Sequence, residues 1–330
     1  MVYTSKELEI MTLGCVSYAH KGLNAVSKEI IETKATGDII TDADRYVHDG
    51  VIEYFQNMGI EALILGEEGA YCSKTPEVAV LLDAIEGTQN FVNDLDCGTN
   101  IAIANYKDIL QAKDIEAAVV VNIPKNRKYV ASRGNGVSVI DCYRKRKPIK
   151  KETDLYELPK KRAYIETEEQ IRQQEFLDEN ASEIFGHQGR SIDATGIRLV
   201  ALVDHNIKAY ADFRHATKSW DSLPSALILM EAGYEFTDVF GFKLGEAVLY
   251  EKGNPKFKRD GGLNRRIGEN FVAANPENHE KFIRKFLPRY LVEFEKTFDE
   301  LVEERRKVYG GLDQENINLL KSITAKERLK

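Results

Sequence analysis

Two short apolar runs in this chain drive straight into acids. "IEALILGEE" stops at Gly66-Glu67-Glu68, and "VAVLLDAIEGT" passes through Asp83 and Glu86 to Gly87 and Thr88. Runs of this length, bounded by turn residues, read as buried strands rather than helices. A buried strand that ends in carboxylates delivers them to the crevice outside the sheet, where open α/β folds bind their ligands. Asp221, which follows Trp220 at the start of a predicted helix, belongs to the same pattern.

The rest of the chain fits around that pattern. Residues 5–31 are expected to form a helix capped by Ser5, and residues 42–59 a second one. "GTNIAIAN", "IEAAVVVN" and "RKYVASRGNGVSVI" read as successive strands, and residues 141–160 as a basic, polar connection. Beyond it, "RAYIET" is a predicted strand and 167–185 a helix. "ATGIRLVALVD" and "WDSLPSALILMEAG" read as helices, and "IKAYADF", "YEFTDV" and "NFVAAN" as strands. This alternation indicates layered α/β architecture. The 330 residues, 43% hydrophobic and 30% charged, suffice for one two-lobed domain or two compact ones. We place an N-terminal α/β half carrying the metal site at 1–150, a second α/β half completing the site at 151–287, and a helical extension at 288–330.

Several partners are excluded by composition. A net charge of −7 leaves no electrostatic footprint for non-specific nucleic-acid binding. No apolar stretch is long enough to span a bilayer, and "MVYTSKELEI" lacks the apolar core of a signal peptide. Cys15, Cys72, Cys97 and Cys142 have no paired spacing, so reduced thiols and a cytoplasmic location are expected. The basic run at 143–151 reads as a solvated loop. His48, His187, His205, His215 and His279 show no metal-ligand spacing.

Gathered carboxylates repel unless a hard cation sits among them, and Mg²⁺ takes carboxylate, carbonyl and water oxygens. A helix beginning at Gly87 would aim backbone N–H groups at the same crevice, which suits a phosphate oxyanion. Acids for a metal beside amides for a phosphate is the arrangement of metal-assisted phosphoester hydrolysis.

These residues resemble the inositol monophosphatase and fructose-1,6-bisphosphatase superfamily of magnesium-dependent, lithium-sensitive sugar phosphatases. That family carries G-E-E, then D-P-(I/L)-D-G-(S/T), then W-D leading into a helix that ends E-A-G. This chain has "GEE" at 66–68, "DAIEGT" at 83–88 and "WDSLPSALILMEAG" at 220–233. "DIITDAD" at 38–44 is similar to the family's D-x-V-T-x-x-D, and "ENFVAAN" at 269–275 to its late strand. "YADFR" at 210–214 looks like the archaeal branch. The resemblance covers roughly residues 5–287.

It implies the layered α-β-α-β-α sandwich of the sugar phosphatases, with Mg²⁺ as cofactor and Mn²⁺ as an alternative. Glu67 would bind metal and orient the attacking water. Asp83, the Ile85 carbonyl and Glu86 would complete the first metal sites, and Asp221 would bind a further cation facing the leaving group. Thr88 would hydrogen-bond the water, supported by Asp44, with Thr41 in the same motif. The Gly87 and Thr88 amides would hold the phosphate. Asp212, with Arg214 beside it, falls where substrate hydroxyls are bound. The implied substrate is a small phosphorylated metabolite such as an inositol phosphate, fructose 1,6-bisphosphate or a nucleotide 3'-phosphate.

Two departures touch the site. Glu86 and Ala84 stand where the family has Asp and Pro. "SIDAT" places Asp193 and Ala194 where the family has a Gly-(Ser/Thr)-Ala turn against the substrate ring. They support a second reading, a catalytically weakened relative acting in binding or assembly. Joint retention of Glu67, Asp83, Thr88 and Asp221 favours the phosphomonoesterase. Arg214, His215 and Lys218 would supply charge for a second anionic group.

Leading into the extension and through it, Phe282, Phe286, Tyr290, Phe294 and Phe298 recur every fourth residue, with Leu301 following. This is an aromatic stripe on one helix face, and Pro288 is expected to kink or restart the helix. The stripe either packs on its own domain or forms an oligomer contact, and a homodimer or higher homo-oligomer is expected. Gly310-Gly311 precedes a last helix at 313–328.

Overall fold

The computed structural model describes residues 2–33, 39–141, 146–147, 156–157, 194–204, 209–212, 217–254, 263–268 and 270–327. It also describes Arg172, Glu175, Phe176, Glu179, Asn180 and Glu183. The expected strand "RAYIET", most of the 167–185 helix and most of the basic run lie outside these residues.

The first half opens with helix α1 (Ser5–Ala19) and a strand pair, β1 (Ile30–Thr33) and β2 (Ile39–Thr41). Helix α2 (Asp42–Met58) follows. Next come β3 (Ala62–Gly66), β4 (Gly69–Cys72), β5 (Val78–Glu86), the short helix α3 (Thr88–Val92), β6 (Gly98–Asn105) and β7 (Ile109–Gln111). Strands β8 (Ala117–Asn122), β9 (Arg127–Ser132), β10 (Val137–Asp141) and β11 (Arg146–Lys147) complete it. All but β1, β2 and β7 form one sheet in the order β11-β10-β9-β8-β6-β5-β3-β4, antiparallel except for the β3–β5 pair. Its central strands are buried along almost their whole length and mostly apolar because both faces are covered. Ile64, Val80, Ile101 and Val119 pack on Leu8, Val16, Val47 and Phe55 of α1 and α2. Their neighbours Leu63, Leu65, Leu81 and Val120 point the other way, as the two-residue period requires, onto Leu223 and Leu227 of a central helix.

The second half contributes β12 (Tyr156–Glu157), α4 (Thr195–Val200), β13 (Ala209–Asp212) and that central helix, α5 (Ser219–Glu231). Strands β14 (Glu235–Asp238), β15 (Val248–Glu251) and β16 (Phe271–Ala274) follow. A second sheet runs β12-β13-β16-β14, and β15 pairs with β7. Tyr210, Phe236 and Phe271 face α5. Ala209, Ala211 and Val272 face three final helices: α6 (Pro276–Glu293), α7 (Phe298–Tyr309) and α8 (Gln314–Glu327). The layers are thus α1/α2, sheet, α4/α5, sheet, α6–α8, the expected α-β-α-β-α order.

Three expectations are corrected. The first helix stops at Ala19 rather than at residue 31, and its cap is Thr4, which shares a reciprocal capping box with Glu7. Helix α6 runs through Pro288 without a break. The aromatic stripe is divided between α6 and α7, and Phe282, Phe286, Tyr290, Phe298 and Leu301 are buried against the second sheet. The stripe thus packs on its own domain, the first of the two alternatives, with Phe294 half-buried beside it. Cys15, Cys72 and Cys97 are free thiols. No helix among the described residues is long and apolar enough to cross a membrane.

Candidate active site

The site begins with a fault in a strand. Asp83 lies opposite Asn100 of β6, but Glu86 lies opposite Gly98, so β5 uses three steps where β6 uses two. That is a β-bulge, which re-aims side chains at a strand end. Thr99 supports it from behind by donating its hydroxyl proton to the Ala84 carbonyl at 2.6 Å. The same hydroxyl oxygen lies 2.8 Å from His20 Nε2. With its proton committed to Ala84, Thr99 accepts there, so Nε2 of His20 carries the hydrogen. Burial pushes the His20 pKa down to about 4, with the Lys128 charge adding, so the ring is neutral.

On this bulged strand end the acids converge. Glu67 after β3, Asp83 in β5 and Asp221 in the first turn of α5 each offer an oxygen, and all three lie within 4.8 Å of one another. Asp221 is fixed by the Lys218 N–H, which donates to its Oδ2 at 2.8 Å. Burial raises Asp83 well above the usual carboxylate range, and the charges of Asp221, Glu67 and Glu86 push the same way. Burial and the Glu67 charge raise Asp221 to about 7, against the Lys218 N–H. Three crowded carboxylates are a donor set of hard oxygens, which fits Mg²⁺ or Mn²⁺.

Beside the acids stands a hydroxyl relay. The Thr41 N–H and hydroxyl both donate to Asp44 Oδ2, at 2.7 and 2.6 Å, closing the first turn of α2. Thr88 Oγ1 lies 3.2 Å from the other Asp44 oxygen and 2.9 Å from the Ile85 carbonyl oxygen. The chain reaches Thr88 through Gly87 at φ 77°, ψ 49°, a left-handed turn that glycine adopts without steric cost. Burial raises the Asp44 pKa, while hydrogen bonds from Thr41 and Thr88 oppose the shift.

Glu86 stands outside the group of three. Its Oε1 accepts the Gly196 N–H at 2.5 Å, and the Ile197 N–H also donates to the carboxylate. Its Oε2 accepts from Asn100 Nδ2 at 2.9 Å. Burial raises its pKa to about 8, with the Asp221 charge adding and these donors opposing. Asn100 and Gly196 were not among the residues picked out from sequence, and neither was His20. A fully buried asparagine within the apolar run "GTNIAIAN" was the one local signal for them.

Of the expected substrate contacts, Asp212 ends β13, fully buried, and accepts from Thr217 Oγ1 at 3.2 Å. Ala194 is buried just before α4. Asp193, Arg214 and His215 lie outside the described residues.

The family model of the inositol monophosphatase family matches residues 9–287. This chain belongs to that family. Among curated relatives, human inositol monophosphatase 2 is 25% identical over 225 residues, covering 65% of this chain and 73% of the relative. The Nus factor SuhB of Pasteurella multocida is 24% identical over 264 residues, covering 80% and 88%. Among solved structures, an inositol monophosphatase II described with bound inositol monophosphate superposes with a TM-score of 0.61 at 16% identity, covering 91% of this chain and 99% of the other. SuhB of Bartonella henselae gives 0.62 at 17% identity, covering 85% and 98%. At such identities these structures speak for the inositol monophosphatase fold alone.

Proposed function

We propose that this family member is a metal-dependent phosphomonoesterase acting on a small phosphorylated metabolite, of the inositol phosphate or fructose 1,6-bisphosphate type. The observation that carries the reading is the convergence of Glu67, Asp83 and Asp221 within 4.8 Å of one another, next to the Thr41–Asp44–Thr88 relay.

Glu67, Asp83, Asp221 and the Ile85 carbonyl are the residues that would hold a divalent cation. When bound, it supplies Lewis acidity and makes a water more acidic. Thr88 orients that water. Its hydroxyl proton is directed to Asp44 or to the Ile85 carbonyl, which leaves a lone pair of Oγ1 to accept from the water. Asp44 is held for this task by the two Thr41 donors and, with its raised pKa, is suited to take a proton. The Gly87 and Thr88 amides are assigned to the phosphate by the family resemblance, as Asp212 and Arg214 are to substrate hydroxyls.

The test is phosphate release from inositol 1-phosphate, fructose 1,6-bisphosphate and a nucleotide 3'-phosphate, after chelation and then with Mg²⁺ or Mn²⁺ restored. Release that depends on the added cation is expected. No release from any ester with either cation would overturn the reading and leave a binding or assembly role.

A further inference from the structure

Glu86 is the residue by which this chain departs most visibly from its family, and its surroundings give the departure a use. The carboxylate is buried, and both of its oxygens are engaged by protein donors: Gly196 and Ile197 N–H groups at the start of α4, and the Asn100 amide. Asn100 Nδ2 also reaches the Asp221 carbonyl in α5 at 3.3 Å. Ser225 of α5 donates to the Gly196 carbonyl at 3.2 Å, so the N–H and C=O of one residue link α4 to both neighbours. The joint is tight. A Cβ on Gly196 would lie 2.6 Å from Asn100 Nδ2 and 2.7 Å from Glu86 Oε2, so nothing larger than glycine fits without moving the pair.

An aspartate at position 86 would be one methylene shorter and would withdraw from Gly196. The glutamate spans the gap between β5, which carries Asp83, and the two helices of the second half, one of which carries Asp221.

We infer that Glu86 is a positioning residue rather than a metal ligand. It latches α4 and, through Asn100 and Gly196, α5 onto the end of β5, and thereby sets Asp221 against Asp83. The inference rests on reading Glu67, Asp83 and Asp221 as the metal-holding acids, but its test does not use phosphatase activity.

Two variants separate latch from ligand. In Glu86→Gln the oxygen can still accept from Gly196 and Ile197. The new amide can donate to Asn100 Oδ1, a buried acceptor with no hydrogen-bond partner among the described residues, once the Asn100 amide turns over; this gives up the 3.3 Å contact to the Asp221 carbonyl but leaves the Ser225–Gly196 link to α5. Glu86→Asp keeps the charge and loses the reach. The readouts are the number of Mn²⁺ ions bound, from the electron paramagnetic resonance signal of free Mn²⁺, and the melting temperature in EDTA. The latch predicts that Glu86→Gln binds as many Mn²⁺ ions as the parent. It also predicts that Glu86→Asp melts several degrees lower without metal, because buried N–H groups lose their acceptor. Loss of one Mn²⁺ in Glu86→Gln overturns the inference, and so does a Glu86→Asp protein that melts with the parent. A parent that binds no Mn²⁺ would sink the metal-dependent reading, while the metal-free melt of Glu86→Asp would still decide the latch.

Discussion

At Thr88 a single hydroxyl proton faces two acceptors, Asp44 and the Ile85 carbonyl, and the catalytic proposal turns on that oxygen. Thr88→Ala is expected to lower kcat by about 10²–10⁴-fold, the usual worth of a positioned proton-transfer group, with KM changed far less. Thr88→Ser should restore most of the rate, and steady-state kinetics of the two variants will show whether the hydroxyl is what matters. Asp83→Asn removes a charge from between Asp221 and Glu67. It should weaken Mn²⁺ binding by more than the about 10–100-fold typical of an outer-shell change, while raising the melting temperature in EDTA by relieving repulsion. A metal-free melt at or below the parent's would contradict the crowding seen among these acids. Glu67, Asp83, Thr88 and Asp221 were legible in the sequence because each sits at a boundary where an apolar run meets a turn or a helix start. The partners of Glu86 were not, since Gly196 is 110 residues away and only the folded layers bring it near.

Among the elements, β5 and α5 were easy to read and α6 was not. Strand β5 is buried at every position and α5 begins sharply, so sequence pattern and structure agree. In α6, Pro288 removes one backbone hydrogen bond, a cost of about 3 kcal/mol in a helix interior. The helix continues because Phe282, Phe286 and Tyr290 lie on one buried face, with the first two rings stacked at 5.0 Å and Tyr290 set 4.7 Å from Phe240. Burial of large side chains outweighs the local preference here. Phe286→Ala should therefore cost about 3–5 kcal/mol, measurable by urea unfolding, whereas Pro288→Ala should stabilise α6 in the same experiment. Helix α1 misled in the opposite direction. Leu8, Met11, Val16 and Ile30 carry a scattered apolar pattern in sequence, yet the chain turns after Ala19, and His20 goes inward to meet Thr99. The β5 bulge left no sequence mark either, because its register is set by pairing with β6.

Across the whole molecule, the outer helical layers at both ends of the stack hide a neutral histidine in the same way. His279 Nε2 meets Thr237 Oγ1 at 2.7 Å, and that hydroxyl donates to the Asp238 carbonyl at 2.8 Å, as His20 does with Thr99 and Ala84. Burial pushes His279 down to about 4, and the Lys243 charge adds to it. A histidine in the unfolded chain titrates near its ordinary 6.5, so the unfolded state takes up protons first as pH falls. The stability held by His279 is complete above that value and is lost as pH drops towards 4, a difference of about 3 kcal/mol. Asp238, raised by burial to about 6, slopes the other way, but it is present in parent and variant alike. His279→Gln keeps a donor for Thr237 and does not titrate. Its unfolding free energy should therefore fall about 2–3 kcal/mol less than the parent's between pH 7 and 4.5; parallel losses would mean that the ring is charged when folded. The position of the last helices has a consequence for manufacture. Strand β13, which begins at Ala209, belongs to a sheet whose outer face packs on α6, α7 and α8, down to Leu320 and Ile323. At synthesis rates of about 5–20 residues per second, roughly 6–23 seconds separate that strand from its final cover. A chain that stops before α8 lacks Ile317, Leu320 and Ile323 from the cluster around Phe240, Phe242 and Val272, so such a truncated product is expected to be a better chaperone and protease substrate than the full chain.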